Sequence, residues 1–244
     1  MNRYFAIGDI HGEDELLHAL LDQLQPILQT DDTVVFMGDY VDRGPSVRKT
    51  IDEILGFKKR VPARIVCLKG NHEEQMLDFL ERPTLFWLDD MEGWPTVESY
   101  LPGATQQHCH ELAAGKPIDQ QLEQTAERLK NAMPKEHLAF FESLELYFKE
   151  DPYLFVHGGI NTKLSWEEQS EEDLLWTDGR KLRGHWKGPE TLIVGHKPTH
   201  RVADEFWGKP ILDDYFIMVD TGSGKTGVLT AVSLPDRQIY QARR

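Results

Sequence analysis

Side chains of the types that bind metal ions follow five short apolar segments of this sequence. The segments end in GDIHG, GDYVDRG, GNHE, HGG and GH, and a glycine adjoins the polar residues in every case. A single aspartate after a strand is usually a turn former or a helix cap. Five such endings in one chain indicate instead a shared site. The candidate ligands are Asp9, His11, Asp39, Asn71, His157 and His196.

This ligand set predicts a centre with two metal ions. Carboxylate, imidazole and amide oxygen together suit manganese, iron or zinc, and we take manganese as the first choice. Two aspartates packed together would repel each other, and bound cations remove that repulsion. A carboxylate shared by both ions would hold them roughly 3.5–4 Å apart, the spacing used in phosphoester hydrolysis. One ion would bind Asp9, His11 and Asp39, and the second would bind Asp39, Asn71, His157 and His196.

Three residues beside these ligands could act on a phosphate ester. Arg43 can donate two parallel N–H bonds to phosphate oxygens. His72 follows a ligand without being needed as one, so it is placed to protonate the leaving oxygen. Asp42 would hold His72 in the required tautomer. We therefore predict His72 and Asp42 as the catalytic pair and Arg43 as a phosphate-binding residue.

The string GSGKT at residues 222–226 invites a different interpretation, that of a nucleotide-binding P-loop. A P-loop requires G-x-x-x-x-G-K-[ST] and opens a helix. Val219 stands where the first glycine is needed, and the residues that follow are rich in β-branched types. We predict a glycine-rich turn between two strands and place the phosphate chemistry elsewhere.

The elements that must position these residues alternate between strand and helix in the first third of the chain. Apolar segments at 3–9, 33–39 and 63–71 read as strands, and leucine-rich or amphipathic segments at 13–24, 46–60 and 73–82 read as helices. Such alternation predicts parallel strands whose carboxyl ends carry the chemistry. In the second half, short strands separated by tight turns favour antiparallel pairing. We expect one domain over residues 1–244, with a mostly helical cap inserted at 83–134.

The composition restricts the classes of partner. The chain of 244 residues is 40% hydrophobic and has a net charge of −14, which disfavours binding to a nucleic-acid backbone. The sequence contains no apolar run long enough to span a membrane and no signal-peptide core. The two cysteines form neither a CxxC motif nor a disulfide framework. We expect a cytoplasmic protein that binds neither nucleic acid nor membrane.

The motifs together resemble the PPP family of phosphoprotein phosphatases, in the bacterial and phage type, within the calcineurin-like metallophosphoesterases. GDxHG, GDxVDRG and GNHE stand at 8–12, 38–44 and 70–73, and HGG and GHKP follow in the family order. The resemblance implies an α/β sandwich of two mixed sheets flanked by helices, and a hydroxide bridging two metals that attacks phosphorus in line. It also implies that Asn71 contacts phosphate and that a second arginine binds phosphate. Arg180 is our candidate for that arginine, with Arg183 as the alternative.

Three functions compete on this evidence. A serine/threonine protein phosphatase acting on a phosphoprotein or a small phosphoester is the leading prediction. A symmetrical dinucleoside tetraphosphate hydrolase resembles the same family, but such hydrolases carry GDLVARG and GNHD, whereas this chain has GDYVDRG and GNHEE. Asp42 therefore favours the phosphatase. A non-catalytic binding scaffold is the third possibility, and the complete set of ligand types argues against it.

Overall fold

Two mixed β-sheets form the centre of the protein. The computed structural model describes residues 2–244, and within this range the strands form two five-stranded sheets of order β10-β9-β1-β2-β3 and β4-β5-β6-β8-β7. The strands are β1 Tyr4–Ile7, β2 Thr33–Phe36, β3 Arg64–Cys67, β4 Tyr147–Glu150, β5 Tyr153–Val156, β6 Thr191–Val194, β7 Ile211–Asp213, β8 Phe216–Met218, β9 Val228–Leu234 and β10 Ile239–Arg243.

Helices cover the outer faces of the sheets and form the segment between β3 and β4. They are α1 Asp14–Leu24, α2 Val47–Arg60, α3 Asn71–Glu81, α4 Leu85–Asp89, α5 Trp94–Tyr100, α6 Ala104–Ala113, α7 Ile118–Ala132, α8 Lys135–Glu142, α9 Glu171–Trp176 and α10 Ser223–Thr226. The predicted α/β sandwich of two mixed sheets with flanking helices is confirmed. Among residues 2–244, every helix is too short or too polar to cross a membrane.

The core lies on both faces of each sheet. In β1, Tyr4 and Ala6 pack against the second sheet, whereas Phe5 and Ile7 pack under the helices, because successive side chains of a strand point to opposite faces. In β5, Phe155 likewise faces the first sheet, while its neighbours pack towards α9. Burial on both faces explains why these strands read as continuous apolar runs.

The pairing in the second half of the chain differs from the prediction. β5 pairs with β6 and β6 pairs with β8 in parallel, so the expectation of antiparallel pairing is wrong for these two pairs. The segments that join them, residues 157–190 and 195–215, contain α9 and β7, and connections of this length allow the chain to return in the same direction. The β4–β5, β7–β8 and β9–β10 pairs are antiparallel.

The segment from 83 to 134 contains α4, α5, α6 and α7. Its buried side chains, among them Trp87, Val97 and Leu129, belong to the same hydrophobic cluster as the residues of α1 and α2. The Trp87 ring lies 4.9 Å from the ring of Phe79 on α3. This shared core supports our proposal that the segment is a cap within a single domain.

Candidate metal centre

The six predicted ligands lie in the loops that follow β1, β2, β3, β5 and β6. Parallel strands of one sheet end at one edge, and the two packed sheets bring their carboxyl ends together. Each of the six side chains is buried, with at most 7% of its surface exposed. Helix α3 begins two residues earlier than predicted, so that Asn71 and His72 occupy its first turn.

Two groups of side chains in this region could each hold a cation. The donor atoms of His11, Asp39 and His72 lie within 4.8 Å of one another, and so do those of Asp39, His157 and His196. Asp39 belongs to both groups, as the prediction of a shared carboxylate requires. His72, predicted as a proton donor, stands in the first group, with its Nε2 3.9 Å from Asp39 Oδ2.

Asp9 lies beside the first group. Its Oδ2 accepts a hydrogen bond of 2.8 Å from the backbone N–H of His196, which joins the loops after β1 and β6. Its Oδ1 is buried and has no hydrogen-bond partner among the described residues. Burial and the nearby carboxylates of Asp220 and Asp39 raise the pKa of Asp9 well above its usual range.

The hydrogen bonds of the histidines leave lone pairs directed into the centre. His11 Nδ1 lies 2.8 Å from the carbonyl oxygen of Val41, and His157 Nδ1 lies 2.8 Å from that of Met37. A carbonyl only accepts, so Nδ1 carries the proton and Nε2 carries the lone pair. Burial lowers the pKa of both histidines, which keeps them neutral. Neutral imidazole with one nitrogen anchored to the backbone is the usual form of a metal ligand.

The lone pair of His157 faces other acceptors, and a cation would resolve the conflict. His157 Nε2 lies 3.1 Å from Asn71 Oδ1 and 3.4 Å from Asp39 Oδ1, with no proton available between them. The Nε2 of His196 is buried without a hydrogen-bond partner among the described residues, and burial lowers the pKa of this side chain to about 2. Buried polar atoms without partners are costly unless something binds them. The donor set therefore fits divalent metal ions.

The backbone at this site is unusual. Among residues 2–244, seven residues other than glycine have positive φ, and five of them belong to the candidate site: His11, Asp39, Asp42, Arg43 and His196. Their φ values of 49° to 71° lie in the left-handed region, which costs roughly 1–3 kcal/mol for such a residue. Backbone strain of this kind concentrates at functional sites, where the surrounding structure holds it.

Glu73 positions the loop that carries Asp39. Its carboxylate accepts backbone hydrogen bonds from Asp39, Tyr40, Val41 and Gly70 at 2.7–3.1 Å. Burial raises the pKa of Glu73 to about 7, and the proximity of Asp39 adds to this shift. In the sequence, Glu73 is an acid in the first turn of a helix, where it favours the helix dipole. Its position three residues into α3 gives no indication that it reaches residues 39–41.

The predicted pair of His72 and Asp42 is in direct contact. His72 Nδ1 lies 2.7 Å from Asp42 Oδ2, and both side chains are at most 2% exposed. Burial alone would lower the pKa of His72, but the charges of Asp39 and Asp42 outweigh it and raise this pKa. The two carboxylates therefore favour the protonated form of this imidazole.

Two residues of the cap segment hold Asp42. Trp87 Nε1 donates to Asp42 Oδ2 at 2.9 Å, and Thr96 Oγ1 donates to Asp42 Oδ1 at 2.6 Å. Burial raises the pKa of Asp42, whereas the hydrogen bonds from His72, Thr96 and Trp87 lower it and support the carboxylate form. No motif in the sequence indicates these contacts, because Trp87 and Thr96 lie 45 and 54 residues from Asp42.

We expect Trp87→Phe to lower kcat/KM for a phosphothreonine peptide about tenfold. The substitution keeps the ring in the core but removes a hydrogen bond to a buried carboxylate, an interaction worth roughly 1.5–3 kcal/mol. Trp94→Phe is the matched control, since Trp94 Nε1 donates to Asp89 at 3.1 Å and does not contact Asp42. Steady-state kinetics on both variants, with metal content measured in parallel, check this. Equal losses in the two variants would mean that Asp42 does not depend on Trp87.

The two predicted phosphate-binding arginines occupy different surroundings. Arg43 lies between the two histidines, with Nη1 2.8 Å from His11 Nε2 and Nη2 3.0 Å from His72 Nε2. Arg180 forms a two-point ion pair with Asp178 at 2.7 and 2.8 Å and also donates to the carbonyl oxygen of Arg201. Its guanidinium is thus already paired, and its role at phosphate stays a prediction.

Comparison with known proteins identifies the family of this chain. A family model described as calcineurin-like phosphoesterase matches residues 3–221. A serine/threonine-protein phosphatase, PP2A-like PPG1 of Candida albicans, is 40% identical over 223 residues, which is 86% of this chain. The chain spans only 42% of the length of that relative.

Solved structures share the fold at low sequence identity. One is described as a proposed diadenosine tetraphosphatase; it has a TM-score of 0.66 and 18% identity, and the match covers 99% of this chain and 93% of that one. Another is a serine/threonine phosphatase from Saccharomyces cerevisiae with similarity to human phosphatase PP5; its TM-score is 0.52 at 15% identity, covering 99% and 80% of the two chains. With the family model matching residues 3–221, the chain belongs to the calcineurin-like phosphoesterases.

Proposed function

We propose that this protein is a serine/threonine protein phosphatase that hydrolyses phosphoesters at a centre of two divalent metal ions. The observation that carries the proposal is the buried contact of His72 with Asp42 beside two groups of ligands that share Asp39. The first set of ligands would be Asp9, His11 and Asp39, and the second would be Asp39, Asn71, His157 and His196. When bound, such metals lower the pKa of water and offset negative charge on the phosphoryl group.

The side chains of the protein supply the remaining steps. Arg43 is only partly buried and would orient the phosphoryl oxygens with its two Nη groups, together with the amide of Asn71. His72 would donate a proton from Nε2 to the leaving alkoxide once Arg43 Nη2, which lies 3.0 Å from that nitrogen, has moved to the phosphoryl oxygens. His72 Nδ1 is already bonded to Asp42 and so leaves Nε2 for this transfer. Asp42 would stabilise the protonated imidazole before that transfer.

Two observations favour a phosphoprotein as the substrate. Asp42 occupies the position that distinguishes GDxVDRG from the string of the dinucleoside tetraphosphate hydrolases. The Candida relative at 40% identity is named a serine/threonine-protein phosphatase. The dinucleotide hydrolase is the second candidate, and the similarity at 18% identity to a proposed diadenosine tetraphosphatase supports its fold alone.

A paired assay separates these two functions. We expect manganese-loaded protein to show a kcat/KM for a phosphothreonine peptide at least about tenfold above that for diadenosine tetraphosphate. A preference of this size corresponds to roughly 1.4 kcal/mol of transition-state binding. A preference for the dinucleotide would reassign the protein to nucleotide hydrolysis. If the protein hydrolyses neither of these compounds and also fails to hydrolyse p-nitrophenyl phosphate, the non-catalytic binding scaffold is the remaining function.

We further propose manganese as the metal and the cytoplasm as the compartment. Histidine, carboxylate and amide ligands without a thiolate suit manganese, with iron or zinc as alternatives. Cys67 and Cys109 are not joined by a disulfide, and burial raises the pKa of Cys67 to about 12, so that its thiol is unreactive. Metal analysis of protein purified without added metal tests the first assignment.

A further inference from the structure

The GSGKT turn lines a cavity beside the candidate metal centre. The cavity has a volume of about 490 Å³, and its lining joins active-site residues to the turn: His11, Arg43, Asp220, Gly222, Gly224 and Lys225. The sequence pattern predicts a glycine-rich turn here, and the structure forms the single-turn helix α10 within it, at Ser223–Thr226. Its position raises the question of what Lys225 would contact when a substrate is bound.

The turn is rigidly attached to the loop that carries His11. Ser223 Oγ donates to the carbonyl oxygen of Ile10 at 3.0 Å, and the Gly222 N–H donates to Asp220 Oδ1 at 2.8 Å. Gly222 has a φ of 75°, which a residue with a side chain adopts at a cost. These contacts hold the start of the turn against the candidate site, and Lys225 follows two residues after Ser223.

The lining is rich in cations although the chain as a whole is acidic. Arg43, Arg201, Lys225 and Arg244 all line the cavity of a protein whose net charge is −14. Arg244 pairs with Glu13 at 2.9 Å, and Arg43 lies 3.9 Å from Glu92. Within residues 2–244, neither Arg201 nor Lys225 forms an ion pair, and both residues are exposed. Their charge is therefore available to a ligand.

A histidine lies in the same lining as these two cations. His200 lies on the cavity with its ring 5.1 Å from the ring of Trp207. Burial lowers the pKa of His200, and the charges of Lys225 and Arg201 lower it further, so both cations lie near this ring.

We propose that Arg201 and Lys225 form a second anion subsite that binds a phosphate or carboxylate of the substrate other than the phosphoryl group being cleaved. The inference rests on the proposed phosphoesterase function of the adjacent centre. It assigns a substrate class: phosphopeptides with acidic or phosphorylated residues next to the cleaved phosphoresidue. A cation that binds a dianionic or carboxylate group near the reacting phosphate lowers KM and leaves the chemical step to other residues.

The test compares two phosphothreonine peptides that differ only in flanking residues, glutamates in one and glutamines in the other. We expect the wild-type protein to prefer the glutamate peptide, mainly through KM. In R201Q/K225Q, the ratio of kcat/KM for the glutamate peptide to kcat/KM for the glutamine peptide should fall about tenfold. Each exposed charge contact contributes roughly three- to fivefold to this ratio, and the double substitution removes two such contacts. The matched control is R128Q/K130Q, which removes the same charges from the exposed face of α7. An unchanged ratio in R201Q/K225Q, or an equal fall in the control, would overturn the proposal.

Two further experiments complete the test. The first shows which kind of anion the subsite binds, and the second tests the subsite if the proposed function is wrong. If R201Q/K225Q loses about tenfold in kcat/KM for diadenosine tetraphosphate relative to p-nitrophenyl phosphate while the peptide ratio stays constant, the proposed contact with acidic phosphopeptides is overturned, and the two cations bind a polyphosphate chain instead. If wild-type protein hydrolyses none of these compounds, the proposed function fails. Calorimetric titration of metal-loaded protein with inorganic pyrophosphate then tests the subsite alone. An increase in Kd in R201Q/K225Q supports it, and equal Kd values overturn it.

Discussion

Asp39→Asn is expected to lower kcat/KM for p-nitrophenyl phosphate by about 10³-fold, as loss of roughly 4 kcal/mol of transition-state stabilisation implies. Asp39 is the residue shared by both groups of ligand atoms, with Oδ2 3.5 Å from His11 Nε2 and Oδ1 3.4 Å from His157 Nε2. Burial alone would raise the pKa of Asp39, but interaction with neighbouring histidines, protonated His72 among them, lowers it and favours the carboxylate form. Asparagine keeps the shape of the side chain and removes its negative charge from both groups of ligand atoms.

Metal content is the decisive readout for this variant. We expect Asp39→Asn to bind less than the wild-type amount of metal when both proteins are loaded and dialysed together, because a buried cation loses a carboxylate ligand. Asp31→Asn, at an exposed position, is the control and should retain both metal and activity. Full metal content with full activity in Asp39→Asn would contradict the shared-ligand assignment.

His72→Asn is expected to lower kcat for a phosphothreonine peptide by roughly 10²–10⁴-fold, the range for loss of a general acid. The alkoxide of threonine is a poor leaving group and needs a proton as the ester bond breaks. p-Nitrophenolate leaves without one, so kcat for p-nitrophenyl phosphate should fall at most about tenfold. This difference between two substrates separates a proton donor from a residue that only maintains the structure.

The same variant decides between two roles for His72. Its ring nitrogen lies in the first group of potential ligand atoms, so a ligand role has geometric support. The hydrogen bond of Nδ1 to Asp42 and the raised pKa support the acid role. Unchanged metal content with selective loss on the peptide would support the acid. Loss of metal, or equal loss on both substrates, would assign His72 to the metal. His18→Asn, on the exposed surface of α1, is the control.

Local patterns were sufficient to predict the elements that carry the candidate ligands. The leucines of α1 and the apolar face of α2 follow the 3.6-residue period of a helix packed on one side, and both helices start within one residue of the predicted position. The apolar runs of β1 and β2 followed by glycine and aspartate predicted where each strand ends. These features depend on neighbours in the chain, and the sequence displays such neighbours directly.

Contacts between distant segments were not predictable in the same way. Trp87 and Thr96 bind Asp42, Glu73 binds the backbone of residues 39–41, and Lys225 lines the cavity beside His11. The parallel pairing of β5 with β6 was likewise missed, because strand direction depends on how the long connection packs. Each of these features arises from the packing of segments that are 30 or more residues apart. The hydrophobic period of the sequence gives no information about such contacts.

By itself, the sequence determined the types of ligand, their order and the strands that carry them, because hydrophobic period and strand-end motifs are local properties of the chain. Only the tertiary structure decided which side chains meet. It brought the strand ends of two sheets together around Asp39, placed cap residues on Asp42 and turned Lys225 towards the cavity beside the metal ligands. The physical reason is that burial, hydrogen bonding and electrostatic fields act through space, whereas a sequence pattern records separation along the chain.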